Sequence, residues 1–472
     1  QEKFYNKKIN NCYTLRKAIK SNNQRTCDLL SPPYIENSYR AYFKNLIKIC
    51  FSSLSRLKVF NPMPVKIKRD HSNLTADEIT QKTYKYDLWR GGFEGVLSSG
   101  SQTFCLFIAI RYFNAEEITK ALIAAAPFMG MFLSMVLLHY ASATKWKKST
   151  WGALPSMITG TCLLIAAWAS SLYMYATFII IAYICRSALL PFITDIYGDN
   201  YPPERRGAFF SKPLLLSVGI AALSGYIGSF ILERDIRHYS IIFSFLGFCA
   251  FLKAIAIYNM PSKKMARSPH ENPFGNMKYV LKDHSFGYVL LTWFIMGFAN
   301  LWTVPLRVDY ITSPEWGIEG SAVFVAMIIT VIPETLRALF IPFWASLFDK
   351  MNFVILRMIL NLMFGGGVLL FFITSNPWII CAGSALIGIA FAGGSIAWNL
   401  WVIKYAPPGK TGAYMSVHVS LTGVRGTLGP IIGYWAVGLI GARSIGIVSC
   451  AMMLIATLML IPEIKHGKRK MG

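Results

Sequence analysis

The sequence predicts an all-α, polytopic membrane protein with twelve transmembrane helices, arranged as two parallel six-helix repeats. Three observations carry that prediction. The composition is too poor in charge to cover a water-facing surface, apolar segments of membrane-crossing length recur along the chain, and the chain resembles itself at a shift of 205 positions.

Of 472 residues, 54% are hydrophobic and 15% are charged, with a mean hydropathy of +0.43. A soluble domain carries about 25% charged residues. Crossing a hydrocarbon core of roughly 30 Å at 1.5 Å per residue takes about 20 apolar residues, and in lipid each such segment must satisfy its own backbone hydrogen bonds as a helix. The formal net charge of +24 suggests nucleic acid at first sight. Basic residues of membrane proteins collect in cytoplasmic loops, however, and no nucleic-acid motif accompanies the charge, so no nucleic-acid partner is expected. The nine cysteines are scattered without a CxxC pair and read as small packing residues rather than a disulfide or zinc framework. No Walker, nucleotide or metal motif is present, so no cofactor and no ATP-driven pump are expected. No apolar run opens the chain, which gives no sign of a signal peptide.

Residues 1–85 read as a basic, Lys- and Asn-rich cytoplasmic extension. Within it, Tyr42 to Phe60 sets Lys44, Lys48, Arg56 and Lys58 among apolar residues at roughly helical spacing. That pattern suits an amphipathic helix on anionic lipid headgroups, and equally a solvated tail with a transient helix. The sequon Asn73-Leu74-Thr75 falls on the same side and is expected to be silent. Apolar segments follow at 88–111, 117–139, 151–170, 173–195, 209–231 and 240–259. A basic connector over 261–285 separates them from segments at 286–311, 321–344, 353–373, 377–402, 412–438 and 442–462. The expected units are therefore a bundle over 86–260, the connector, a bundle over 286–464 and a basic tail over 465–472. Basic loops (Lys145–Lys148, Arg205–Lys212, the connector, Lys350, Lys404–Lys410, Lys465–Lys470) alternate with neutral, mixed or acidic ones (Glu116–Glu117, Ser170–Ser171, Glu233–Arg237, Asp309–Glu319, Ser375–Pro377). The alternation predicts an inner (cytoplasmic) membrane protein with both termini in the cytoplasm.

The 205-position shift lays Gly92-Phe93 on Gly297-Phe298, Gly160 on Gly365, Pro202-Pro203 on Pro407-Pro408, Gly207-Ala208 on Gly412-Ala413, and Gly228 on Gly433. Repeats with an even number of spans are parallel, and two such halves can rock about a site at the midplane. Over residues of about 85–465 the chain resembles the major facilitator superfamily. The loop motif of that family survives between helices 8 and 9 as Ala345-Ser346-Leu347-Phe348-Asp349-Lys350. Its first copy is reduced to Tyr140 to Lys145, without the glycine or the aspartate. Arg186 in YICRSALLP resembles the arginine of the helix-4 motif, and Gly429-Pro430-Ile431-Ile432-Gly433 resembles an antiporter motif placed in helix 11. The resemblance implies that helices 1, 4, 7 and 10 line a cavity and that helices 2, 5, 8 and 11 form the interfaces between halves.

Ionisable residues inside a membrane are costly unless paired or hydrated, so Glu94, Arg186, Glu334, Arg337 and Arg425 are the leading candidates for substrate binding or proton coupling. Glu94 and Arg186 lie at matching depth and are expected to pair. The pair reads either as a proton and substrate site or as a structural lock. Glu334 and Arg337 share a face of helix 8 and read as a self-satisfied pair or a cavity pair. Arg425, without an evident acidic neighbour, is a candidate for an anionic group of the substrate. Asn300, Trp302 and Asn399 are further substrate-site candidates that double as packing residues. Arg307 with Asp309, and Asp349 with Lys350, are candidate gates. These features predict a secondary transporter for a small anionic or zwitterionic solute, driven by alternating access and coupled to protons or to exchange. A transport-dead receptor signalling through residues 1–85 and a polytopic membrane enzyme are the rival readings.

Overall fold

The computed structural model describes residues 74–202, 205–265, 277–316, 318, 320–406 and 411–465. The Tyr42–Phe60 segment and the tail beyond Lys465 lie outside them.

Helix α1 begins at Ala76, well before its apolar segment, because a capping box nucleates it. Glu78 N donates to Thr75 Oγ1 at 3.4 Å, and Thr75 N donates back to Glu78 Oε2 at 2.8 Å. The Thr75 backbone N–H, with the Thr75 hydroxyl donating to the same oxygen at 2.9 Å, holds the Glu78 carboxyl below its ordinary pKa. From Ala76–Ser99 the helix passes through a π turn at Gly100–Phe104 into Cys105–Arg111. The first bundle continues with α2 (Glu117–Ser142), α3 (Lys148–Ala167), α4 (Leu172–Ala188, then Leu190–Asn200), α5 (Arg206–Arg234) and α6 (Tyr239–Tyr258).

In the second bundle α7 runs as His284–Leu301 and Thr303–Thr312, and α8 as Ala322–Ala326, a π turn Met327–Val331, and Ile332–Lys350. Helices α9 (Phe353–Phe372) and α10 (Pro377–Leu400) follow. The final helical stretch, Thr411–Leu458, is divided at Gly441 into α11 (411–440) and α12 (442–458). Gly441 has φ 77° and ψ 160°, a conformation open essentially to glycine alone.

Among the described residues, ten helical segments are long and apolar enough to cross a membrane by length and composition. Dividing the last of them at Gly441 and adding α1, whose Asp87, Arg90 and Glu94 depress its hydropathy, completes the twelve expected spans. Large apolar side chains such as Trp435, Leu439, Phe245 and Phe248 are exposed on the outside, as a surface facing lipid requires. The second bundle is filled by an aromatic cluster in which Trp293, Phe286 and Phe353 all stack on the fully buried Trp401.

The two bundles meet along α2–α11 and α5–α8, with α1 and α7 touching between them. Small residues make the first of these contacts possible. A Cβ on Gly426 would overlap the Phe128 side chain, and one on Gly423 would lie 3.0 Å from the Phe132 backbone nitrogen. The π turns of α1 and α8 face each other across the interface, where the Thr103 and Thr330 hydroxyls bond. Gly426→Leu is therefore expected to destabilise the folded protein by about 1–3 kcal/mol through overpacking, whereas Leu439→Ala on the lipid face leaves it unchanged. Melting temperatures of the purified variants in detergent check this, and equal melting of the two would contradict the interface.

Candidate functional site

Helix α1 carries Asp87, Arg90 and Glu94 along one side. Arg90 Nε donates to Asp87 Oδ1 at 2.6 Å, and the hydroxyls of Tyr197 and Tyr201 donate to the same carboxylate at 2.5 and 3.3 Å. Glu94 is shared between two cations. Its Oε1 accepts from Arg186 Nη2 at 2.5 Å and its Oε2 from Lys253 Nζ at 2.5 Å. Arg186 Nη1 also donates to Ser101 Oγ at 3.1 Å. The contact between Glu94 and Arg186 is the one their equal depth implies. Lys253 was not among the sequence-derived candidates, although it is the lone charge in a 20-residue apolar helix and only 2% exposed. That isolation was the available signal.

Two cavities adjoin this network. A central one of about 350 Å³ lies between the bundles and is lined by Arg186, Arg307, Glu334 and Arg337 among residues of α1, α2, α4, α7, α8 and α10. A second, of about 570 Å³, extends toward the basic loops and is lined by Arg90, Glu94, Arg186, Asp195, Lys253 and Asn399, among others. Arg186 borders both. Arg337 Nη1 sits 3.3 Å from both Glu334 oxygens, and the pair lies on the cavity wall. The Nε–H groups of Arg186, Arg307 and Arg337 are buried without a hydrogen-bond partner.

At the end away from the basic loops the bundles are latched. Lys120 Nζ donates to Asp309 Oδ1 at 3.0 Å and lies 5.0 Å from the centre of the Tyr434 ring. Arg111 Nη2 donates to Gly320 O at 3.2 Å, and Val323 N to Glu233 Oε2 at 3.2 Å. The expected Arg307–Asp309 pair does not form. Residues two apart on a helix face different directions; Arg307 turns into the central cavity while Asp309 turns to α2.

Arg425 lines neither cavity. Its Nη1 donates to the Trp293 carbonyl and its Nη2 to Thr422 Oγ1 at 3.1 Å, beneath Gly297. Beside it, Arg357 stacks on the Trp293 ring with Cζ 3.5 Å from the centroid, another lone charge in an apolar helix that the sequence reading passed over. Trp302 also points away, donating from Nε1 to Ser449 Oγ at 2.6 Å, and Asn300 is buried outside both cavities. Asn399 is exposed on the second cavity and donates to Ser395 O at 2.8 Å. Lys350 is exposed at the end of α8, and the side chain of Asp349 lies outside the described residues.

Removing one partner of a buried ion pair strands the other and costs about 3–5 kcal/mol. Glu94→Gln, which leaves Arg186 and Lys253 without their carboxylate, is expected to melt well below the parent. The double variant Glu94→Gln/Lys253→Met should recover part of that loss. Thermal denaturation of the two proteins decides it, and a Glu94→Gln protein as stable as the parent would contradict the shared carboxylate.

Residues 310–470 match the family described as the Major Facilitator Superfamily. No curated protein matches the sequence. Among solved structures, the nucleoside transporter NupG superposes with a TM-score of 0.64 at 12% identity, covering 81% of this chain and 99% of that one. A D-xylose-proton symporter superposes with a TM-score of 0.63 at 16% identity, covering 83% and 98%. The human organic anion transporter MFSD10 does so with a TM-score of 0.58 at 15% identity, covering 82% and 100%. At such identities the structures establish the fold alone, and the family match is confined to the second half of the chain. The chain therefore has the fold of these transporters, and its residues 310–470 match the Major Facilitator Superfamily.

Proposed function

We propose that the chain is a secondary transporter that carries a small anionic solute by alternating access, exchanging one anion for another. The observation that carries this reading is the arrangement of charge around the central cavity. Glu334 answers Arg337 and Glu94 is divided between Arg186 and Lys253, while Arg307 has no acidic partner among the described residues. Uncompensated positive charge at membrane depth is unfavourable until an anion enters.

In this reading residues 86–260 and 286–464 are the two moving bodies, joined by 261–285. The Lys120–Asp309 latch is the outer gate, and the cavity bordered by Arg90 and Asp195 is the path to the cytoplasm. Both termini and the basic loops are cytoplasmic, in the inner membrane, and the extension over 1–85 meets anionic headgroups there. Exchange rather than proton coupling is favoured because each oxygen of Glu94 already accepts from a cation, so a proton arriving there must displace one.

Reconstituted protein tests this with labelled solutes from a panel of nucleotides, sugar phosphates, carboxylates, amino acids and neutral sugars. Uptake of an anion is expected to rise when unlabelled anion is loaded inside, and to persist after the pH gradient is collapsed. Replacing Arg186 or Arg307 by Gln is expected to reduce that uptake by about tenfold or more, the cost of a lost charge-assisted hydrogen bond. Flux restricted to neutral sugars, or flux abolished by collapsing the pH gradient, would overturn the reading.

A further inference from the structure

The central cavity says more about its occupant than the sign of its charge. We propose that it is built for an organic anion bearing two negative charges on one oxyanion head, such as a phosphate monoester, attached to a compact apolar body. The proposal deepens the transport reading above and rests on it for the cavity's role.

Charge and hydrogen-bond donors define the head. Arg337 is balanced by Glu334, which leaves one positive charge on Arg307 and one on the Arg186–Lys253 pair that shares Glu94. Two negative charges neutralise that surplus and one does not. Arg186, Arg307 and Arg337 each keep a buried Nε–H unspent, and all three line the same cavity. A planar guanidinium offers these N–H groups in a fixed fork that matches an oxyanion, and a head with three oxygens has one for each arginine. Arg186 belongs to the first bundle and Arg307 and Arg337 to the second. A head that bonds all three therefore draws the bundles together. Lys253 is the residue that permits this, because it keeps Glu94 paired when Arg186 turns to the ligand.

The rest of the wall suits an apolar body, because Phe128, Ile387 and Phe391 line the same space. A cavity of about 150 Å³ accommodates a benzene molecule. The 350 Å³ present here has room for a ring of that size with its head, but not for a large conjugate.

Titration calorimetry of the full-length protein in detergent, with phenyl phosphate, benzoate, phenylalanine and inorganic phosphate, tests the proposal. Phenyl phosphate is expected to bind at pH 8 at least about tenfold more tightly than benzoate or phenylalanine, the value of one charge-assisted bond. It is also expected to bind more tightly than inorganic phosphate, which lacks the ring. Because the second ionisation of a phosphate monoester falls near pH 6, its affinity should drop between pH 8 and pH 5 while that of benzoate stays level. Arg307→Gln should erase the preference for phenyl phosphate over benzoate, and Arg307→Lys should keep part of it. Benzoate binding as tightly as phenyl phosphate would overturn the proposal, as would an affinity for phenyl phosphate that does not change with pH. The pH arm uses the unaltered protein and stands even if Arg307→Gln fails to fold. Tight binding of phenyl phosphate without flux of any solute would sink the transport reading and leave this site standing. Flux of benzoate alone would do the reverse.

Discussion

A carboxylate at membrane depth requires cations, and Glu94 is met by two of them from different helices. Arg186 reaches it from α4 and Lys253 from α6, so the three residues tie α1, α4 and α6 into one unit. The arrangement holds more positive than negative charge, and its Arg186 lines both the central cavity and the larger one. Under the proposed function, stability and ligand preference draw on the same atoms. In that reading, the carboxylate that ties the first bundle together is also the competitor that an anion must displace from Arg186.

The second constraint is how the bundles touch. Glycines at 423 and 426 let α11 approach α2 closely, and the π turns of α1 and α8 bring Thr103 and Thr330 together. A π turn inserts one residue into a helix and redirects the side chains on either side of it. In α8 it immediately precedes Pro333 and Glu334, and in α1 it follows Glu94 by a turn and a half of helix. The interface between the bundles and the orientation of the charged residues are therefore set by the same irregular backbone. Beyond it, Lys120 and Asp309 close the far end with an ion pair between bundles, while the end near the basic loops keeps the larger cavity.

Parts of the candidate site were legible in the sequence. Glu94 and Arg186 could be paired from depth alone, and Glu334 and Arg337 from helical spacing. Lys253 and Arg357 were visible as isolated charges in apolar helices, yet their significance depends on which helix each one meets. Arg307 and Asp309 illustrate the limit from the other side. Two positions apart and opposite in charge, they look like partners, but the turn of the helix sends one into the cavity and the other to α2. Arg425, the strongest lone candidate by sequence, is occupied by the Trp293 carbonyl and Thr422 behind the cavity wall.

The sequence by itself determined the number of spans, their grouping into two related sets of six and the alternation of basic loops, because hydropathy and loop charge are local properties that accumulate along a chain. The tertiary structure alone decided which cations share a carboxylate, which face the cavity and which are spent on packing. That division is physical. A helix burying its own backbone needs only its own residues to form, whereas the fate of a buried charge is set by the nearest opposite charge, carbonyl or ring, and here those groups come from helices more than 150 positions away in the chain.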